Sequence, residues 1–345
     1  MRVSREPRRE KHPNRGEKRM TTYFIAGGAG FIGSHLAREI AKSGDNRIII
    51  YDNFTSGRMW HISDLLESRS VTVVEADIKD PGALTDAMKG ADIVYHLASN
   101  PDIAKAMVQP DIDFWEGTYL TSNVLEAMRK NGVMRILYAS GSGIYGDTGF
   151  LEVAEDYTPM LPISTYGASK LACESLICSY CHLCELKASV FRFANVVGPR
   201  QTHGVGYDFI RRLLRNPLEL TILGDGTQSK SYIHVDDVIS AMRLMERLQQ
   251  EQYSYHNVAT LDYMTVTEIA DQAVEVMELS GVAYGYSGGN RGWKGDVPIV
   301  RLSSEKIRNR GWKNVRTARE AIRDSLMSLR DDALAGRFDG EDRKQ

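Results

Sequence analysis

The side chains best placed to do chemistry are Tyr166 and Lys170, in the run Tyr166-Gly-Ala-Ser-Lys170. At a spacing of four they share one face of a helix. An ammonium beside a phenol favours the phenolate, lowering its pKa from the usual value of about 10. Such a tyrosine can take a hydroxyl proton. Upstream, the run from Tyr138 to Gly146 follows an apolar segment and offers two hydroxyls, Ser140 and Ser142, that could orient a reacting oxygen. Either feature alone could be ordinary: a surface Tyr–Lys pair, or a glycine–serine turn. The elements around them decide.

Those elements start with Thr22–Asp52. A short apolar run, Tyr23–Ala26, leads into Gly27, Gly28, Gly30 and Gly33. Ile32, Leu36 and Ile40 then recur at helical spacing, and a second run, Ile48–Tyr51, ends on Asp52. This is strand, tight turn, helix and strand. Glycines there turn the chain, admit a pyrophosphate to the backbone and let the helix approach the strand. Phosphates then meet the free N–H groups of the helix N-terminus. Asp52 can accept hydrogen bonds from an adenosine ribose and would repel a 2′-phosphate, so NAD is expected rather than NADP. A nicotinamide cation would reinforce the lowered pKa of Tyr166, and hydride could leave as the proton is removed.

The 345 residues are 42% hydrophobic and 26% charged, the composition of an ordinary soluble globular protein. A net charge of −2 gives no reason to expect a nucleic-acid or acidic-membrane partner. No apolar run approaches the ~20 residues needed to span a bilayer. Residues 1–19 are rich in Arg, Lys, Glu and Pro and lack a secretory apolar core, so a disordered basic tail is expected. Residues 331–345 are expected to be a polar tail. Cys173, Cys178, Cys181 and Cys184 lie within one expected helix, where residues three apart rotate around the axis; they read as structural thiols, with no metal site. Their usage fits a cytoplasmic protein.

Along the chain, strands are expected at 22–26, 47–51, 71–75, 93–96, 135–139 and 188–192. Helices are expected at 31–42, 60–66, 82–88, 113–130 and 165–186. The alternation implies an α/β, doubly wound Rossmann parallel sheet over residues 20–195, with ligands at the carboxyl ends of its strands. Residues 196–330 read mainly as a smaller substrate-binding lobe, some of whose segments return to the first domain. Helices are expected there at 207–215, 235–248, 266–279 and 317–329.

Taken together, these motifs resemble the extended short-chain dehydrogenase/reductases, specifically the nucleotide-sugar epimerase/dehydratase family. The matching runs are Gly27–Gly33, Tyr51–Asn53, Asp77-Ile78, His96–Ser99, Ile144–Gly146, Tyr166–Lys170, Phe191–Arg200, Ser231–Asp237 and Arg291–Pro298. The resemblance implies a pyrophosphate turn at Gly27, Gly30, Phe31, Ile32 and Gly33. It implies ribose contacts at Asp52 and Asn53, adenine contacts at Asp77 and Ile78, and a cofactor wall at Leu97, Ala98 and Ser99. Ser140, Tyr166 and Lys170 also border the cofactor, and Tyr166 and Lys170 match the catalytic pair. Asn195 matches a residue that meets the substrate diphosphate. Lys230 stands where an arginine is usual, losing its planar fork. Arg291, with Lys294 as the alternative, would supply a second cation.

One departure falls at the reacting centre. Four residues before Tyr145 the family carries a catalytic Ser or Thr, and this chain has Gly141. Ser142 is taken as the replacement hydroxyl. Dehydratases of the family carry an Asp-Glu pair where this chain has Ser142 and Gly143, and decarboxylases tend to carry the glutamate. The expected reaction is therefore 4-epimerisation of a nucleotide sugar, a UDP-hexose above others, through a transient 4-keto sugar. Dehydration, decarboxylation or reduction are the alternatives. A non-catalytic NAD-responsive regulator is the reading from another class, and it would be expected to lose the Tyr–Lys pair. The resemblance also implies a homodimer that pairs the helices at 113–130 and 165–186.

Overall fold

The computed structural model describes residues 20–338. Its first half alternates strand and helix. The elements are β1 (Thr21–Ala26), α1 (Phe31–Ala41), β2 (Asn46–Asp52), β3 (Val71–Glu75), α2 (Pro81–Ala87), β4 (Ile93–His96), α3 (Tyr119–Asn131), β5 (Arg135–Gly141), α4 (Thr165–Cys184) and β6 (Lys187–Phe193). The second half contributes β7 (Asn195–Val197), α5 (Val205–Arg215), β8 (Glu219–Ile222), β9 (Ser229–Lys230), β10 (Tyr232–His234), α6 (Val235–Leu248), β11 (Tyr253–Val258), β12 (Met264–Thr265), α7 (Val266–Val276), β13 (Ala283–Tyr286), β14 (Ile299–Val300), α8 (Glu305–Arg308) and α9 (Ala318–Leu334).

Seven strands form one parallel sheet in the order β11-β6-β5-β4-β1-β2-β3. The expected Rossmann arrangement is thus present. Its central strands read as unbroken apolar runs because both faces are covered. Phe24 and Ile49 face one apolar layer, with α3 and α4, while Ile25, Ile48 and Ile50 face another, with α1 and α6. Smaller pairings hold the second half together: β7 with β10, β8 with β13, and β9 between β12 and β14. A third apolar cluster lies among α5, α7 and α9.

Four local expectations differ from what is found. The segment 60–66 is two short 3₁₀ turns, Met59–His61 and Ser63–Leu65. The expected helix from residue 113 opens as a π turn, Phe114–Thr118. There Ser169 Oγ donates to the Asp113 carbonyl at 2.6 Å, an oxygen an α-turn would offer to the Gly117 N–H. The sheet also gains β11, a strand whose half-polar sequence gave no clear run; it pairs with β6. Finally, α9 continues to Leu334, into the expected polar tail. The basic segment 1–19 and residues 339–345 lie outside the described residues.

All four cysteines are free thiols on α4, with Cys173 and Cys181 buried. Among the described residues no group of three or more His, Cys, Asp or Glu could hold a metal ion. No described helix is long and apolar enough to cross a membrane.

Candidate active site

The carboxyl ends of β1, β2, β4 and β5 open onto a cavity of about 640 Å³. Its floor is the glycine turn. Gly27 has φ +80°, and a Cβ there would lie 2.7 Å from the Ala98 nitrogen. A Cβ on Gly33 would lie 2.2 Å from the Gly27 carbonyl. The turn, the Leu97-Ala98 wall and the first turn of α1 therefore touch backbone to backbone, as glycine alone permits. Gly30, the N-cap of α1, places no side chain over the first N–H groups, leaving them open to an anion.

Asp52 stands at the end of β2 and is buried. Its Oδ2 accepts from Ala29 N and its Oδ1 from Phe54 N, both at 2.9 Å. Burial pushes the carboxyl pKa up, while these N–H donors oppose the rise. Asp52 thus braces the glycine turn, and each oxygen keeps a further lone pair. Next to it, Asn53 Nδ2 donates to Asp77 Oδ2 at 3.0 Å, and Ile78 is buried beside them. Ser99 also lines the cavity. His61, not singled out from the sequence, supports the turn from below through Nδ1 and the Ala29 carbonyl, 2.9 Å apart. Burial takes its pKa down to about 4.

The chemical end is built by α4 and β5. Ser164 caps α4 by accepting from Gly167 N at 3.1 Å. A Cβ on Gly167 would lie 2.4 Å from the Gly143 carbonyl, so the helix start seats directly on the turn carrying Ser142. Lys170 is buried; its Nζ donates to the Ala139 carbonyl at 2.8 Å and lies 5.5 Å from the Tyr166 ring centre. Burial takes the Lys170 ammonium down to about 8. In the protein alone the Tyr166 phenol is pushed up, by burial first and then by the Asp113 carboxylate and Cys173. The lowering expected from the spacing is thus outweighed, because burial disfavours the phenolate and the neighbouring Asp113 and Cys173 add to that. Asp113 is itself held by Asn100 Nδ2 at 2.9 Å and Thr165 Oγ1 at 2.6 Å.

The two serines part company. Ser140 Oγ donates to Glu174 Oε1 at 2.5 Å, within a buried network. Glu174 in turn pairs with Arg192 Nη2 at 2.8 Å, and Arg192 Nη1 donates to the Tyr145 hydroxyl at 2.8 Å. The Ser140 hydroxyl therefore serves the scaffold, although the residue borders the cavity. Ser142 also lines the cavity. Gly141 between them is extended, and a Cβ there would meet only the Phe193 carbonyl, at 3.9 Å. The slot is open.

Asn195 and Lys230 line the far end. Lys230 Nζ donates to Asp296 Oδ1 at 2.6 Å. Arg291 is not among the lining residues: its Nη2 donates to Asp147 Oδ2 and its Nη1 to the Asp296 carbonyl, both at 2.5 Å. From the same run, Trp293 and Asp296 line the cavity instead. Neither was singled out. Both lay inside the matching run Arg291–Pro298, from which the resemblance implied the cation Arg291, with Lys294 as the alternative.

A sequence model described as the NAD dependent epimerase/dehydratase family matches residues 23–259. The chain belongs to this family. It is 31% identical over 307 residues to a putative UDP-glucose 4-epimerase of Methanocaldococcus jannaschii, covering 87% of this chain and 95% of that protein. A crystal structure of a UDP-galactose 4-epimerase superposes with a TM-score of 0.81 at 33% identity, over 90% of this chain and 99% of the other. The UDP-glucose 4-epimerase of Thermus thermophilus, solved as a complex with NAD, gives 0.80 at 28% identity, over 90% and 99%.

As in the family, the cofactor is NAD. The residues present fit it: a backbone cradle that any Cβ at Gly27 or Gly33 would fill, open N–H groups, and a carboxylate at the end of β2. Stripped protein is expected to bind NAD(H) more tightly than NADP(H), and Asp52→Ala to narrow the gap. Titration with both cofactors checks this. Equal or tighter NADP(H) binding by the unaltered protein would contradict it. Because Asp52 also satisfies Ala29 N and Phe54 N, the variant is expected to weaken binding of both.

Proposed function

We propose that this protein is a nucleotide-sugar 4-epimerase acting on a UDP-hexose. The observation that carries the reading is the convergence of Tyr166, Lys170 and Ser142 on the cavity that also holds the glycine cradle. Bound NAD supplies a hydride acceptor that returns what it takes. Tyr166 removes the C4 hydroxyl proton as hydride leaves C4, and returns it to that oxygen after the keto sugar has turned over and taken the hydride back on its other face. Lys170, whose ammonium lies 5.5 Å from the Tyr166 ring centre, stabilises the phenolate. Ser142 orients the sugar oxygen. Asn195 and Lys230 meet the diphosphate, and the residues beyond 195 form the substrate's side of the cavity.

The position of Gly143 supports this choice over elimination. A Cβ there would be in ordinary contact, at 3.5 Å from the Gly167 Cα, so the fold has room at this point. The chain nevertheless carries no acid at Ser142 or Gly143 to move the protons of dehydration. Proton NMR of products from UDP-, GDP-, dTDP- and CDP-sugars tests the proposal. Interconversion of UDP-glucose and UDP-galactose is expected. A 4-keto-6-deoxy product or released carbon dioxide would contradict it.

The working form is a homodimer through α3 and α4. Phe114 and Trp115, just before α3, are about half exposed, at 50% and 45%, and Leu183 on α4 is 81% exposed. Such side chains favour a covered face. Light scattering at micromolar concentration is expected to give twice the chain mass; a monomer would contradict the assembly.

A further inference from the structure

The segment between β13 and β14 brings an aromatic ring, not a second cation, to the cavity. Arg291 turns outward to Asp147, tying this segment to the loop after β5. Asp296 N donates to the Trp293 carbonyl at 3.1 Å, and Gly292 N to Asp296 Oδ2 at 3.1 Å, closing a tight turn. Within that turn Gly295 has φ +134°, and a Cβ there would lie 2.8 Å from Trp293 Cζ3 and 3.2 Å from Cη2. The missing side chain is what lets the indole lie back on the turn. The benzo edge faces Gly295, so the edge bearing Nε1 is directed away from it. Trp293 is half-buried and borders the cavity together with Lys230, Tyr232, Asp296 and Asn195. Lys230 is meanwhile neutralised by Asp296.

We propose that Trp293 is a substrate-contacting residue that recognises the nucleotide half of the substrate, offering its ring face to the base or ribose of a nucleoside diphosphate. This deepens the epimerase reading and rests on it for the placement of the nucleotide at the Lys230 end. The physical case is that an indole face contributes dispersion and stacking that are tolerant of base identity. Affinity at this end then depends less on charge than two free cations would make it.

The test uses the full chain with NAD bound, titrated with UDP, dTDP, GDP and CDP by calorimetry and by intrinsic fluorescence. Of the four tryptophans only Trp293 lines this cavity. The tightest-binding diphosphate is expected to quench the emission. Trp293→Phe is expected to abolish the quench while keeping affinity within a few-fold. Trp293→Ala is expected to weaken diphosphate binding by roughly tenfold or more, with NAD affinity unchanged as the sign that the fold is intact. Quenching that persists in Trp293→Phe, an unchanged affinity in Trp293→Ala, or no quench with any diphosphate overturns the proposal. Epimerase activity is scored separately. Trp293-dependent diphosphate binding without interconversion would sink the epimerase reading alone, and interconversion with Trp293-independent binding would sink this one alone.

Discussion

Tyr166→Phe is expected to leave nucleotide-sugar binding intact and to lower turnover by roughly 10²–10⁴. The substitution keeps the ring that packs at the start of α4 and removes only the oxygen that takes the proton. Burial and Asp113 hold the phenol high in the protein alone, so the proton-accepting form must be drawn out by positive charge brought near it. Lys170 is already in place and does not outweigh burial by itself; a nicotinamide cation is the further positive charge. Neighbouring substitutions separate the roles of the hydroxyls. Ser142→Ala is expected to slow turnover more than Ser140→Ala, whose loss falls on Glu174 instead. Gly141→Thr fills a slot where the nearest neighbour of the added Cβ is the Phe193 carbonyl, at 3.9 Å, and is expected to fold. Steady-state kinetics and calorimetric binding on the four variants check the set. Full activity in Tyr166→Phe would remove the tyrosine from the chemistry.

The second large effect is on stability. Glu174→Ala is expected to cost about 3–5 kcal/mol, because it leaves the Arg192 guanidinium buried and unpaired. Glu174 and Arg192 are 3% and 4% exposed, so water cannot replace the lost partner. Arg192 reaches the Tyr145 hydroxyl and the Glu155 carbonyl, and the Tyr145 hydroxyl donates to Asn257 at 2.7 Å. The network therefore joins α4, β5, β6 and β11. Replacing both charges, as Glu174→Leu with Arg192→Met, is expected to recover most of the loss. Urea unfolding of the single and double variants measures it. A cost below about 1 kcal/mol in Glu174→Ala would mean that the pair is not what joins these elements.

Much of this was legible because it depends on local pattern. The buried strands β1 and β2 read as apolar runs, and Gly27 and Gly33 announced a backbone contact that the structure shows at Ala98 and at the turn itself. The four-residue spacing placed Tyr166 and Lys170 on one face. What escaped depends on contacts between distant segments. β11 is a strand because β6 has a free edge, not because Tyr253–Val258 alternates. The π turn before α3 owes its shape to Ser169, more than fifty residues on. Ser140 and Ser142 are chemically alike in sequence, and only the position of Glu174 distinguishes them. Arg291 had the charge expected at a diphosphate, but Asp147 holds it outside the cavity lining, and its neighbour Trp293 lines the cavity.

The central claim, epimerisation through a transient 4-keto sugar, is tested most directly by isotope position. UDP-galactose deuterated at C4 is incubated with the enzyme in ordinary water, and the UDP-glucose formed is examined by NMR. In parallel, unlabelled substrate is turned over in deuterated water. The account predicts that the label stays at C4, because the hydride that leaves is the one that returns, and that no solvent deuterium enters C5 or C6. Solvent label at C5, or loss of deuterium from C4, would contradict it.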